Sequence, residues 1–251
     1  MKVRLINYTG KGTAEPQIEA AKLLVYTKNT RLTQGKETER LINEKSEGEL
    51  LRELDYIAKT IRSSWEFIDY TFEIVDVTRA FTHQFVRTRT GSYAQQSQRS
   101  TNMEGFGVYV PKTVRDNRAA MFHWGEAIAA IERNYLTLIR LGIPTEDARG
   151  LLPTNILTSI IAKFNLRTVA DICAKRDNLR AQGEYTEVVR AMRECVYEVH
   201  PWAKSFIEPE RTQTPAINTL LKDWLGNATP VSKPMINDAL KELDALKGVW
   251  G

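Results

Sequence analysis

Between residues 3 and 8 apolar and polar side chains alternate, a period of two that predicts an opening strand. Gly10 and Gly12 punctuate it, and Pro16 begins a helix whose apolar positions are Ile18, Ala21 and Leu24. Residues 33–48 are polar and charge-rich, a helix start or a mobile surface; apolar positions 50, 51, 54, 57, 58 and 61 then describe an amphipathic helix. Aromatic and β-branched residues over 67–75 predict a strand. The run Phe81-Thr82-His83-Gln84-Phe85-Val86 has helical spacing and should bury its Phe and Val face before the chain reaches Arg87. Residues 106–110 read as a short strand closed by Pro111. The longest predicted helix covers 118–141, with Ala119, Phe122, Ala127, Ile131, Leu138 and Leu141 on a broad apolar face and Gly142 and Pro144 as its stop. Thr145 opens a short helix with Glu146 and Asp147 in its first turn, and Pro153 ends it. A second core strand over 156–164 follows, then helices over 168–179 and 183–200, and a last amphipathic helix near 235–246 in a proline-containing tail. This order carries no internal repeat. It predicts an α+β fold: a single domain over 1–208 with a central, mainly antiparallel sheet flanked by helices, and a helical C-terminal tail over 209–251.

A length of 251 residues with 42% hydrophobic and 26% charged side chains fits one globular domain and argues against a disordered chain. The formal charge of +4 is spread without a long run of like charges, so no nucleic-acid partner is expected, and anionic small ligands account for the charge equally well. Cys173 and Cys195 fit no metal-ligand or C-x-x-C pattern and read as small hydrophobes. His83, His123 and His200 share no ligand spacing, so no metal site is expected. The first residues lack the apolar stretch of a signal peptide, and no apolar run approaches the roughly 18 to 20 residues that span a bilayer. A cytoplasmic protein with no membrane partner is the expectation.

The chemistry concentrates between Arg87 and Arg99, where three arginines, two serines and three glutamines fall within thirteen positions. Arginine forks match phosphate oxygens in pairs, while Ser and Gln side chains read carbonyl and imide edges, so a phosphorylated ligand carrying a heterocycle fits. A solvated basic loop is the plain alternative, against which stands the buried element leading into it. Arg149, Arg167, Arg176 and Arg180 add cations downstream. Arg176 and Arg180 lie four apart on one helix face and repel unless they share an anionic ligand or are neutralised by Asp171 or Asp177. Asn165, just before a helix, reads equally as an N-cap.

The spacing Arg87-Thr88-Arg89, seven residues, Ser97-Gln98-Arg99 resembles the R-H-R, seven residues, S-x-R signature of flavin-dependent thymidylate synthases, the ThyX family. Ala148-Arg149-Gly150-Leu151-Leu152-Pro153 resembles the family's A-R-x-x-L-P, and Asn165-Leu166-Arg167 its N-x-R. Arg176, Ala181, Gln182 and Glu184 follow its L-R-x-x-x-x-A-Q-x-E with Lys175 in place of the Leu. The groups anchor residues from about 62 to 184.

The resemblance implies a catalytic domain over 1–208 that converts dUMP to dTMP using FAD, NADPH and 5,10-methylenetetrahydrofolate, and a homotetramer whose sites draw on several subunits. It implies flavin contacts at Ser63, Arg87, Thr88, Arg89, Gln95, Asn165, Arg167 and Asp171. Nucleotide contacts are implied at Gln84, Arg87, Gln95, Gln96, Ser97, Gln98, Arg99, Arg149 and Arg176. Arg176 falls on the catalytic arginine that polarises the uracil imide edge, a role that suits methylation at C5 without a cysteine nucleophile because negative charge must be stabilised on N3 and the carbonyls. The chain departs from the family at Thr88 (for His), Gln95 (for an acid), Ser100 (for Tyr), Asp171 (for Asn) and Arg180 (for His), and its segment 61–67 keeps little of H-x-S/T-P-F-E-H. Two other functions therefore stand beside thymidylate synthesis: transfer of a hydroxymethyl group to dUMP or dCMP by a divergent relative, and non-catalytic binding of nucleotide or RNA.

Overall fold

Strand β1 (Lys2–Tyr8), β2 (Asp69–Thr78), β3 (Ser92–Gln95) and β4 (Leu157–Asn165) form one antiparallel sheet in the order β1-β2-β4-β3, in a computed structural model that describes residues 1–30, 36–177 and 183–208. The helices, in chain order, are α1 (Pro16–Asn29), α2 (Lys36–Asn43), α3 (Glu47–Thr60), α4 (Arg79–Phe85), α5 (Lys112–Arg115), α6 (Arg118–Arg140), α7 (Thr145–Ala148), α8 (Leu166–Arg176), α9 (Gly183–Val199) and α10 (Lys204–Ile207). The antiparallel sheet with helices around it in a single domain is the fold class expected from the sequence.

Alternation decides which sheet face is covered. On β2 the buried positions are Tyr70, Phe72 and Ile74, and they stand directly opposite Phe164, Ala162 and Ile160 of β4. The core fills against that face with Leu24 of α1, Leu54 and Ile57 of α3, Val169 of α8 and Val188 and Met192 of α9. Helix α3 carries its own start signal, a capping box in which the Ser46 hydroxyl accepts from the Glu49 amide and the Glu49 carboxylate accepts from the Ser46 amide at 2.8 Å. Its buried residues Leu50, Leu54 and Ile57 follow the helical period.

The sheet is irregular where the site begins. Pairing of β2 with β4 shifts register between Ile74 and Val77, and Asp76 takes a left-handed φ of 57° there. Past this bulge both Val77 and Thr78 are buried, so the strand runs on three residues beyond the alternating segment. Thr78 then N-caps α4 by accepting from the Phe81 amide at 2.9 Å. The Glu184 carboxylate, buried in the first turn of α9, accepts from the Thr78 amide at 2.8 Å and the Thr78 hydroxyl at 2.6 Å. Two elements more than a hundred residues apart are thereby locked at the point from which the arginine segment springs.

Several expectations change. Residues 106–110 form no strand; only Val108 bridges to Ile156. The strand expected from Phe67 begins at Asp69, because 62–67 is a 3-10 turn that leaves Phe67 exposed. Within the arginine segment, Ser92–Gln95 is an edge strand and not a loop. Phe81 and Phe85 are buried as expected, but Val86 is exposed because α4 ends at Phe85. Helix α8 starts at Leu166, with Asn165 Oδ1 accepting from the Thr168 amide at 2.8 Å as its N-cap. Cys195 is only half-buried. The C-terminal tail over 209–251, its expected helix near 235–246 and Arg180 lie outside the described residues.

Helix α6 is the expected long helix, 23 residues capped by Asn117 and terminated by Gly142 at φ 82°. It buries Tyr135 in a small second cluster with Met103, Ala148 and Ile156. Most of its predicted apolar face is open: Phe122 is 61% exposed and Leu141, just past its end, 73%. No described helix is long and apolar enough to cross a membrane.

Candidate active site

Strand β3 organises the site, because the expected residues gather at its two ends. At the Ser92 end, the turn Arg87-Thr88-Arg89 follows α4 through amide bonds from Arg87 to Gln84 and from Thr88 to Phe85. Gly91 closes the turn against the core: a Cβ there would lie 2.3 Å from the Phe164 ring, so no larger residue fits. The Tyr93 hydroxyl donates to the Thr88 carbonyl at 2.7 Å, and burial pushes its pKa up to about 12. The Thr168 hydroxyl of α8 donates to that of Thr90 at 3.1 Å, which brings the Asn165–Arg167 segment against this turn.

Arg176, at the end of α8, stacks its guanidinium 4.7 Å from the centre of the Tyr185 ring. Burial raises the Tyr185 pKa, with a hydrogen bond to the Thr88 side chain and the Arg176 charge acting in the opposite direction. Arg176, Tyr185 and Thr88 are thus one cluster, so the expected catalytic arginine and the middle of the R-T-R turn meet through a tyrosine the sequence reading missed. Of the two acids that could have neutralised Arg176, Asp177 bonds Arg190 and Arg193 at 2.7 and 2.6 Å, and Asp171 bonds Arg62 at 2.7 Å. Arg167 pairs with Glu66 at 2.6 Å. These two exposed pairs tie α8 to the 3-10 turn that holds Ser63. The side chains of Arg87 and Arg89 have no hydrogen-bond or ion-pair partner among the described residues.

At the other end of β3, Gln95 turns its amide nitrogen to the Thr82 hydroxyl at 2.8 Å, which joins β3 to α4 and leaves the Gln95 carbonyl oxygen as an acceptor. The Gln96 amide bonds the Ser159 carbonyl, and the Ser97 hydroxyl accepts from the amides of Arg99 and Ser100 at 3.1 and 3.3 Å, which fixes the turn that holds Gln98 and Arg99. Arg99 pairs with Glu146 at 2.5 Å, and its carbonyl accepts from the Thr145 hydroxyl. Arg149 donates from Nε to the Glu146 carbonyl at 3.0 Å. The structure therefore unites Gln96, Ser97, Arg99 and Arg149, and places Gln84 in α4. Three participants were not anticipated: Glu146, Tyr185 and Arg79. Tyr185 directly follows the Glu184 of the last motif, the one signal that could have found it.

The whole arrangement is open, with Arg87, Arg89, Ser97, Arg99 and Arg149 exposed, whereas a recess lined by Tyr8, Pro16 and Glu198 lies at β1, the opposite edge of the sheet. Cationic and amide donors around the two ends of one edge strand can bind phosphate groups and a polar heterocycle.

Comparison with known proteins identifies the family. The family model described as thymidylate synthase complementing protein matches residues 4–202. A flavin-dependent thymidylate synthase of Pyrococcus abyssi is 35% identical over 150 residues, 55% of this chain and 61% of that one. Its counterpart in Pyrococcus horikoshii is 32% identical over 214 residues, 81% of this chain and 85% of that one. The chain thus spans about three fifths of the first relative and most of the second. A crystal structure of a UMP/dUMP methylase from Streptomyces cacaoi, bound with 5-Br dUMP, shares the fold at TM-score 0.66 and 18% identity, over 82% of this chain and 93% of that one. A match over most of the chain, with its motifs gathered around one strand, makes this protein a member of the thymidylate synthase complementing protein family.

Proposed function

We propose that the domain over 1–208 methylates dUMP at C5 to give dTMP, with FAD as cofactor, NADPH as reductant and 5,10-methylenetetrahydrofolate as carbon donor. The observation that carries this reading is Arg176 held on the Tyr185 ring beside Thr88, a fixed guanidinium with no carboxylate partner among the described residues. Such a group stabilises negative charge developing on a uracil imide edge, and it does so more strongly as water is excluded.

The residues suit a flavin dinucleotide. Its diphosphate is dianionic, and Arg87 and Arg89 offer two guanidinium groups without internal partners. Arg167 and Asp171 are engaged with Glu66 and Arg62, but exposed pairs of this kind are worth about 1 kcal/mol or less and yield to a ligand. Bound flavin supplies the hydride chemistry, and the protein binds and orients. Gln84, Arg87, Gln95, Gln96, Ser97, Gln98, Arg99 and Arg149 then hold the nucleotide, the last cluster at its phosphate. With its nitrogen given to Thr82, Gln95 keeps its carbonyl oxygen as an acceptor, as an acid would. The open site and the bare apolar flank of α6 fit a cytoplasmic homotetramer in which neighbouring copies complete each site.

The test is single turnover with dUMP or dCMP, reduced FAD and methylenetetrahydrofolate. Product from dUMP carrying a methyl group is expected. Product from dCMP alone would move the reading to hydroxymethyl transfer. A colourless protein that binds nucleotide but never FAD would support the non-catalytic reading.

A further inference from the structure

We infer that Arg79, a residue in none of the motifs above, is an anion-binding residue that pairs with Arg149 to receive a phosphate monoester dianion. The inference rests on the proposed nucleotide site, which it extends by one residue.

Arg79 is the first residue of α4, and its backbone is fixed twice: its amide donates to the Ile156 carbonyl at 3.1 Å, and the preceding Thr78 is clamped by Glu184. The side chain runs half-buried toward Gln96, where Nη2 donates to the main-chain carbonyl at 2.6 Å. Nε is buried and has no hydrogen-bond partner among the described residues. Neither Arg79 nor Arg149 forms an ion pair among the described residues. The Glu146 carboxylate is taken by Arg99, and Arg149 donates to the Glu146 main-chain carbonyl. Burial and the Arg149 charge both push the Arg79 pKa down, so the two guanidinium groups feel each other.

Two neighbouring cations, one half-buried with an orphaned donor, are unfavourable unless something anionic is shared between them. Were Arg79 only a clip for the Gln96 carbonyl, a neutral donor would serve without the cost of a desolvated charge. A phosphate dianion neutralises both guanidinium groups, and Gln96 sits one residue from the Ser97 turn that leads to Arg99.

The experiment measures binding of dUMP, deoxyuridine and inorganic phosphate to the full chain and to Arg79→Gln and Arg79→Lys, by calorimetry, with melting temperature as a check on folding. Arg79→Gln should weaken dUMP and inorganic phosphate about 10- to 100-fold, as expected for a charge-assisted bond, and leave deoxyuridine unchanged. Arg79→Lys should recover part of the loss, which keeps the test valid if the glutamine variant folds poorly. Should the wild type bind inorganic phosphate through Arg79 but not dUMP, the site stands and the nucleotide reading fails. Unchanged phosphate and dUMP affinity in Arg79→Gln, equal loss of deoxyuridine, or a wild type that binds neither phosphate nor dUMP overturns the inference.

Discussion

Helices α9 and α6 are both long and amphipathic, yet they meet opposite fates. Along α9 Tyr185, Val188, Val189, Met192 and Val196 are buried within the chain, whereas α6 with six more residues buries Tyr135 alone. The first belongs to a closed lobe in which the sheet and α1, α3, α8 and α9 share one core. The second belongs to an open flank that also carries Arg99, Glu146 and Arg149. The buried core is concentrated in the lobe, whereas the flank carries the Arg99–Glu146 pair and Arg149 on an exposed surface. Substitutions in the two regions should therefore fail in different measurements.

Phe85→Ala tests the lobe most severely. Phe85 is fully buried among Phe81, Tyr93, Phe164 and Tyr185, and its removal should cost about 3–5 kcal/mol in urea unfolding. A cost below about 1 kcal/mol would mean the aromatic cluster is not the support of the arginine turn.

His200 gives the lobe a pH signature. It is fully buried, with Nδ1 2.8 Å from the Tyr70 hydroxyl and Nε2 without a partner among the described residues, and burial pushes its pKa down to about 4 from 6.5. Between those values the unfolded chain holds a proton that the folded chain refuses, so stability is complete above pH 6.5 and falls as pH drops toward 4. The loss should be on the order of 3 kcal/mol across that window and absent from His200→Phe. Parallel pH profiles for the two proteins would contradict it.

On the flank the same kind of change should spare folding. Arg99→Ala removes an exposed pair with Glu146, worth about 1 kcal/mol or less to stability, but should raise the apparent KM for nucleotide about tenfold with kcat nearly unchanged. Phe122→Glu should alter unfolding by about 0.5 kcal/mol or less while sedimentation shows a shift toward smaller species. An unchanged assembly would leave α6 without a role in self-association.

Much of the fold is legible because one-sided burial writes its period into sequence: β1, β2, β4 and α3 of the lobe, and α6 of the flank, are all located from spacing. Strand β3 was not, since Ser92-Tyr93-Ala94-Gln95 has no apolar alternation and is a strand only through its pairing with β4. Residues 106–110 erred the other way. Their aromatic and β-branched residues resemble a strand, but Gly105 takes a left-handed φ of 67° and pairing reduces to single bonds with 155–157. In the site, the motif arginines could be read from spacing and family resemblance, whereas Arg79 could not. A lone arginine at a helix start says nothing until the fold carries it to the Gln96 carbonyl.

The most direct test of the account compares wild type with Arg176→Ala, both loaded with FAD and given labelled dUMP, methylenetetrahydrofolate and NADPH. Labelled dTMP from the wild type is predicted, with turnover lower by at least about a hundredfold in the variant and melting temperature preserved, because a charge is lost and no core volume. A flavin-loaded wild type that makes no dTMP, or a variant that keeps most of the activity, would contradict it.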